Sequence, residues 1–209
     1  MVQEPVVWSR TRSSRLITLI LLVHFLLTVA YSVVTPLGEA PDELSHYDYF
    51  RYVAQERALP VGTGVDEAIQ PPLYYLLGAL LTFPIEMDFA FARSNPDFSL
   101  TAEDGPQNLL IHTSLESWPY RGSALAFHLV RLLSAALSTL TVWAIYRLGR
   151  ELFPEQEALA LGAAGFVAFI PEFCFLGGAV NNDNLAAAVG ALSLIHISEP
   201  TRLGMSSYA

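Results

Sequence analysis

The segment GEAPDELSHYDYF, residues 38–50, places three carboxylates and one histidine within seven positions: Asp42, Glu43, His46 and Asp48. On a helix, Asp42 lies four residues and Glu43 three residues before His46, so both carboxylates share a face with the imidazole. A carboxylate that loses hydration at a membrane boundary becomes a better proton acceptor. The pattern therefore indicates Asp42 and Glu43 as candidate catalytic bases, with His46 beside them to bind substrate.

Two other interpretations of this segment need no catalysis. Pro41 suits the first position of a helix, and carboxylates in the first turn, Asp42 and Glu43, then stabilise the helix dipole by about 0.3 to 1 kcal/mol each. Alternatively, Asp42, His46 and Asp48 hold a divalent metal ion, although a single histidine among carboxylates lacks the close spacing of a zinc motif.

The composition is that of a membrane protein. Hydrophobic residues make up 53% of the 209 residues, charged residues only 15%, and the mean hydropathy is +0.40. The formal net charge of -9 argues against nucleic acid as a partner. The single cysteine, Cys174, lies in an apolar stretch, which excludes an intrachain disulfide framework and a thiolate metal site.

The first apolar run, residues 16–34, has nineteen positions without a formal charge, about the length needed to cross a hydrocarbon core. Three arginines precede it: Arg10, Arg12 and Arg15. Under the positive-inside rule, residues 1–15 are then cytoplasmic and the chain emerges outside at residue 35. The sequence therefore predicts the first span of a multi-pass protein of the plasma membrane, with Asp42 just outside the lipid bilayer.

The rest of the chain is predicted to alternate between loops and spans. Residues 35–123 carry many more acids than bases, and their apolar run PPLYYLLGALLTF is too short to cross a membrane. We interpret them as one long external loop that carries the catalytic segment. The predicted segments are interfacial helices at about 41–55 and 71–83, a second span at 124–146, a cytoplasmic turn at 147–157, a third span at 158–180 with a kink at Pro171, and the start of a fourth span at 181–191.

The end of the chain breaks the apolar pattern. Its sequence LSLIHISEPTRLGMSSYA, residues 192–209, resembles the conceptual translation of a sequencing adapter. We expect this stretch to lie outside the natural protein, with the gene interrupted inside the fourth span. The natural part is then an N-terminal fragment that is inactive by itself.

Five further residues are candidates for substrate binding. Gln70, Tyr74 and Tyr75 stand where the second interfacial helix begins, and the N-terminus of a helix can receive a phosphate. Arg131 lies inside the second span, where a lipid-linked phosphate is a natural partner for a charged group. Asp183 can reach a site shared with the first loop. The alternatives are a proline-marked helix start with interfacial tyrosines, an arginine that snorkels outward, and a polar turn capping the next helix.

Together these parts resemble the bacterial GT-C superfamily of membrane glycosyltransferases, in the branch related to protein O-mannosyltransferases and aminoarabinose transferases. The resemblance rests on the order of APDE at the start of a long external loop, QPPLYY on a membrane-surface helix, an arginine in the second span, and the turn NNDN. It implies an all-α, polytopic transmembrane bundle.

The resemblance also implies an activity: inverting transfer of a sugar from a polyprenyl-phosphate donor to a hydroxyl of a lipid, glycan or protein acceptor outside the cytoplasm. It assigns Asp42 as the catalytic base, with Glu43 as alternative or partner. Gln70 stands where the family often has a histidine before Pro-Pro. Members differ in whether a divalent metal takes part, and this sequence is compatible with either.

Two rival functions remain open at the level of the sequence. A membrane transporter or polysaccharide-assembly component without transferase activity uses its acids to bind a cation or carry protons, and it needs ionisable groups near the middle of several spans. Here they gather at the external boundary. A non-catalytic scaffold whose loop docks a partner is favoured if Asp42 and Glu43 are both fully solvated.

Overall fold

The computed structural model describes residues 10–62, 64–99 and 108–206, and these ranges are almost entirely helix and loop. The helices are α1 (Arg10–Val34), α2 (Glu43–Glu56), α3 (Leu73–Thr82), α4 (Gly122–Leu152), α5 (Glu157–Ala168), α6 (Pro171–Gly177) and α7 (Asp183–Ser206), with short 3₁₀ turns at Asp66–Ile69 and Ser114–Glu116. Within the described ranges the sole β feature is an isolated antiparallel bridge between Ser94 and Leu110. The predicted all-α class is confirmed.

Two helices, α1 and α4, are long and apolar enough to cross a membrane. A third candidate span is the pair α5 and α6, which is bent by 66° at the break between them. The sequence predicts one kinked helix over 158–180, and the structure divides it into two. The cause is Pro171, which has no N–H to continue the helix and forces Ile170 into an extended conformation.

The break leaves the Ala168 carbonyl without a helical partner, and side chains replace that partner. The thiol of Cys174 donates to it at 3.2 Å, and Nδ1 of His24 in α1 lies 2.8 Å from the same oxygen. Nε2 of His24 lies 2.8 Å from the Ser138 hydroxyl in α4. Because a carbonyl only accepts, His24 donates through Nδ1 and accepts from Ser138. One buried histidine thus joins α1, α4 and the break, as polar groups at membrane depth require.

Other boundaries differ from the predicted ones. Helix α2 begins at Glu43 rather than near residue 41, so Pro41 and Asp42 precede the helix. Helix α4 continues to Leu152, which shortens the turn predicted at 147–157. Helix α7 runs unbroken to Ser206 through most of the tail 192–209, and the origin of that tail stays a prediction.

An aromatic core packs α2 and α3 onto the N-terminal half of α4. Tyr47 of α2 stacks on Phe127 of α4 with ring centroids 4.5 Å apart, and both rings are buried. Tyr49 stacks on Tyr75 of α3 at 3.8 Å. Since each buried aromatic ring removes about 150 to 250 Å² from solvent, this core fixes α2, and with it the acidic segment, against the end of the bundle.

Gly178 follows α6 at a close approach to α1. A methyl group there would lie 2.6 Å from the Thr28 carbonyl oxygen and 2.9 Å from the Ser32 nitrogen, both backbone atoms. We expect Gly178→Ala to destabilise the protein by about 1 to 3 kcal/mol because the helices must separate. Thermal unfolding in detergent, followed by circular dichroism, measures this.

The matched control is Gly162→Ala in α5, where a methyl group meets nothing within 4 Å. This substitution should leave stability unchanged or raise it by up to about 1 kcal/mol through helix propensity. Equal unfolding temperatures for the two variants would contradict the close contact at Gly178.

Candidate active site

A buried ion pair lies beneath the acidic segment. Nε and Nη2 of Arg131 in α4 donate to Oε1 and Oε2 of Glu43 in α2 at 2.8 and 2.7 Å, and both side chains are 0% exposed. The contact is the bidentate form, in which two parallel N–H donors meet two carboxylate oxygens. Residues 88 positions apart in sequence are thereby held face to face.

The remaining donors of Arg131 bind the end of α1. Nη1 donates to the carbonyls of Ser32 and Thr35 at 2.7 and 2.8 Å, and Nη2 donates to that of Pro36 at 3.1 Å. All five N–H groups of the guanidinium are then used inside the protein. The sequence predicts a lipid phosphate as the partner of Arg131. In the structure its partners are internal instead, so Arg131 acts as a scaffold in this arrangement.

The Glu43 carboxylate is equally occupied. It accepts from the Gly38 N–H at 3.0 Å and from the Val180 N–H at 2.8 Å, besides the two bonds from Arg131. These bonds connect the turn after α1, helix α2, helix α4 and the segment before α7. Because Glu43 accepts four hydrogen bonds and is fully buried, it anchors these segments to one another. Neither of its oxygens is open to a substrate hydroxyl.

Asp42, the neighbouring residue, is in the opposite situation. Its side chain is exposed and accepts no hydrogen bond from the part of the chain that the structure describes. Its backbone adopts the left-handed conformation, with φ 56°, which is uncommon outside glycine and costs of order 1 to 3 kcal/mol where the surroundings impose it. It precedes the helix without capping it, so the interpretation of Asp42 as a first-turn carboxylate is corrected.

His46 lies in the first turns of α2 below Asp42. Its Nδ1 lies 2.9 Å from the hydroxyl of Tyr75, so this predicted pair is joined directly. Burial lowers the pKa of His46, and the nearby carboxylates of Glu67, Asp42 and Asp183 raise it by a smaller amount. The imidazole is therefore mainly neutral. The three carboxylates of Glu67, Asp42 and Asp183 near it are called the acidic rim.

Two of the three segments that contribute the rim, those of Glu67 and Asp183, are bonded to each other. The Asn182 amide donates to the side-chain oxygen of Gln70 at 3.1 Å, and the Asn181 N–H donates to the Tyr74 hydroxyl at 3.0 Å. Asp183 itself is exposed, and its N–H is capped by the Asn181 side chain. The structure thus brings Gln70 and Asp183 to the same end of the bundle as Asp42.

Two tyrosine hydroxyls have internal partners. Tyr74 is 1% exposed, and its hydroxyl also lies 2.7 Å from that of Ser134, while desolvation raises its pKa far above the usual range. Tyr75 is buried with its hydroxyl on His46, and burial likewise raises its pKa strongly. Both tyrosine rings line the buried side of the site, and both hydroxyls are bonded within the protein.

Asp48 does not join this group. It forms an ion pair with Arg51 at 2.6 Å on the surface of α2. Among the described residues, no group of three histidine, cysteine or acidic side chains is arranged to hold a metal ion. The alternative of a metal held by Asp42, His46 and Asp48 therefore has no support from the geometry.

Glu67 was missed by sequence reasoning, because it lies on a short 3₁₀ turn with no periodic pattern. A second group was missed for the same reason: Glu39, His112 and Glu116, which lie on the far side of the Asp42 turn. The sequence does show an acidic residue beside each of these turns. It does not show which turns lie next to one another in the folded protein.

Comparison with known proteins agrees with the resemblance in part. The family model described as dolichyl-phosphate-mannose-protein mannosyltransferase matches residues 121–202. The matched range contains Arg131 and Asp183, whereas Asp42, His46 and Gln70 precede it. Searches of curated proteins and of solved structures found no match. The family match and the apolar helices indicate a membrane glycosyltransferase of the GT-C type.

We expect Arg131→Met to destabilise the protein by about 3 to 5 kcal/mol, because it leaves the Glu43 carboxylate buried without a countercharge. Adding Glu43→Gln removes that charge and should restore part of the loss. The free energy of unfolding in mixed micelles measures both variants. The control is Arg51→Met, which removes a partly exposed ion pair and should cost about 0 to 1 kcal/mol. If the effects of Arg131→Met and Glu43→Gln on the free energy of unfolding were strictly additive, the coupling between Arg131 and Glu43 would be contradicted.

Proposed function

We propose that this chain carries the catalytic loop of an inverting glycosyltransferase that takes its sugar from a polyprenyl-phosphate donor, with Asp42 as the general base. The observation that supports this most is the contrast within one dipeptide. Glu43 is buried as an anchor, and that anchor holds Asp42 exposed and free to accept a proton at the acidic rim. A base needs both a fixed position and an open oxygen.

The chemistry requires one proton acceptor. The acceptor hydroxyl gives its proton to the Asp42 carboxylate while its oxygen bonds to the anomeric carbon from the face opposite the phosphate. The bond from that carbon to the phosphate oxygen breaks, and the electron pair leaves with polyprenyl phosphate. Because phosphate leaves readily as an anion, no general acid is needed. The anomeric configuration is inverted and Asp42 is left protonated.

The developing phosphate charge needs a positive partner, and Arg131 has no free donor for it. Helices α3 and α7 both begin at this end of the bundle, next to the bonded pair Gln70 and Asn182. The partial positive charge and free N–H groups of a helix N-terminus suit a phosphate. We therefore assign phosphate contact to the starts of these helices, with Gln70 between them, and sugar contact to Asp183 and His46.

The alternative of a transporter or polysaccharide-assembly component has less support. Two buried ionisable groups described within α1 and α4, His24 and Arg131, are bonded to backbone carbonyls or to a side-chain partner. A third, His128, stacks on the ring of Tyr120 with centroids 3.7 Å apart. A carrier of protons or cations needs such groups to face a changing environment. The scaffold alternative is favoured by full solvation of both Asp42 and Glu43, and Glu43 is 0% exposed.

Replacing Asp42 with Asn in the complete protein should lower sugar transfer about 10²- to 10⁴-fold, because the amide cannot take the hydroxyl proton. Transfer of a labelled sugar from a polyprenyl-phosphate donor in isolated membranes measures the rate. Asp48→Asn, on the helix that follows Asp42 and paired with Arg51, is the matched control and should keep nearly full activity. Unchanged transfer by the Asp42 variant would reject the assignment.

The proposed location of Asp42 outside the cytoplasm has its own test. Cys174 is the single cysteine, so Cys174→Ala gives a cysteine-free chain for labelling. In that background we expect Asp42→Cys to react with a membrane-impermeant maleimide in intact cells. Glu155→Cys, in the exposed turn between α4 and α5, should react after permeabilisation alone. The reverse pattern would place the site on the cytoplasmic side.

A further inference from the structure

Outside the acidic rim, three titratable side chains form a second network: Glu39, His112 and Glu116, which we call the clasp. Nε2 of His112 lies 2.9 Å from Oε1 of Glu39, and Nδ1 lies 2.9 Å from Oε2 of Glu116. All three side chains are largely buried, with exposed fractions of 20%, 12% and 11% for His112, Glu39 and Glu116. Both ring nitrogens of one histidine therefore meet carboxylates.

The two carboxylates also bind backbone. Glu39 accepts from the Leu109 and Leu110 N–H groups, each at 2.9 Å, and Glu116 accepts from the Leu37 N–H at 3.4 Å. Glu116 further accepts from the Thr113 N–H within its own capping box. The clasp thus joins the turn that follows α1 to residues 109–116, about seventy positions later in the chain.

We propose that His112 is a positioning residue for Asp42, acting through Glu39, which lies three residues before it; this inference rests on the proposed function. Asp42 occupies a left-handed conformation that the surroundings must impose. Glu43 and Arg131 hold its turn from within the bundle. The clasp holds the same turn from the other side, at Leu37 and Glu39.

Both ring nitrogens of His112 lie at hydrogen-bonding distance from carboxylates, which only accept, so each N–H that the imidazole carries has a partner. Among the described residues, the acids that His112 contacts are Glu39 on the turn and Glu116 on its own segment. The neighbouring stretch, where the Arg93 carbonyl accepts from the Ile111 N–H, adds Arg93, whose side chain is exposed. The clasp therefore ties the Glu39 turn to the segment of His112 through both sides of the imidazole.

The first test uses the chain in lipid nanodiscs. Hydrogen exchange at the amides of Leu37, Leu109 and Leu110 reports the clasp, because its carboxylates are the partners of these groups. We expect His112→Gln to speed their exchange about tenfold or more. Glu155→Gln, at an exposed position between α4 and α5, is the control and should change nothing. Unchanged exchange in the His112 variant would overturn the clasp itself.

The second test separates positioning from simple structure. In the complete protein, His112→Gln should lower kcat for transfer about tenfold with little change in KM for the donor. His112→Arg, which keeps side-chain N–H donors for both carboxylates, should restore kcat. Faster exchange without a loss of kcat would overturn the positioning role. The Asp42→Asn result would still stand, so failure of the proposed function is seen separately.

Discussion

The buried pair between Glu43 and Arg131 is the interaction on which the site depends. Removing two charges from solvent costs several kcal/mol per ion, and it is tolerated where geometry is good and every remaining donor and acceptor is satisfied. Here the guanidinium has five acceptors and the carboxylate four donors, all within the protein. The pair therefore specifies one arrangement of α1, α2 and α4 with the segment before α7, because any other arrangement leaves a charge unpaired.

The constraint reaches Asp42 through the backbone. Fixing Glu43 inside the bundle fixes the orientation of the peptide before it, and Asp42 is left exposed with a left-handed φ. The aromatic contacts of Tyr47 and Tyr49 hold the following turns of α2, so the exposed carboxylate stands on a rigid element. A general base benefits from this combination, since an oxygen held in place loses little freedom when the acceptor binds.

Polar groups along the spans follow the same rule of internal satisfaction. The break between α5 and α6 frees the Ala168 carbonyl, and His24 and Cys174 bond to it. The end of α1 leaves carbonyls at Ser32 and Thr35, and Arg131 bonds to them. A membrane offers no water for such groups, and at these two irregularities side chains from neighbouring helices bond to the freed carbonyls. Small residues such as Gly178 allow neighbouring segments to come close enough for these hydrogen bonds.

Apolar length, proline positions and charge distribution are properties of local sequence, and they were enough to predict the all-α class, the apolar runs that became α1 and α4, the short helix α3 and the bend at Pro171. They also marked Asp42, Glu43 and Asp183 as acids at helix starts. Sequence alone left open which member of the Asp42–Glu43 pair is buried, because neighbouring side chains on a helix differ by about 100° and the burying partner, Arg131, is far along the chain. Glu67 and His112 lie in loops without periodicity, so their placement depended on which turns meet, and tertiary packing alone decided that.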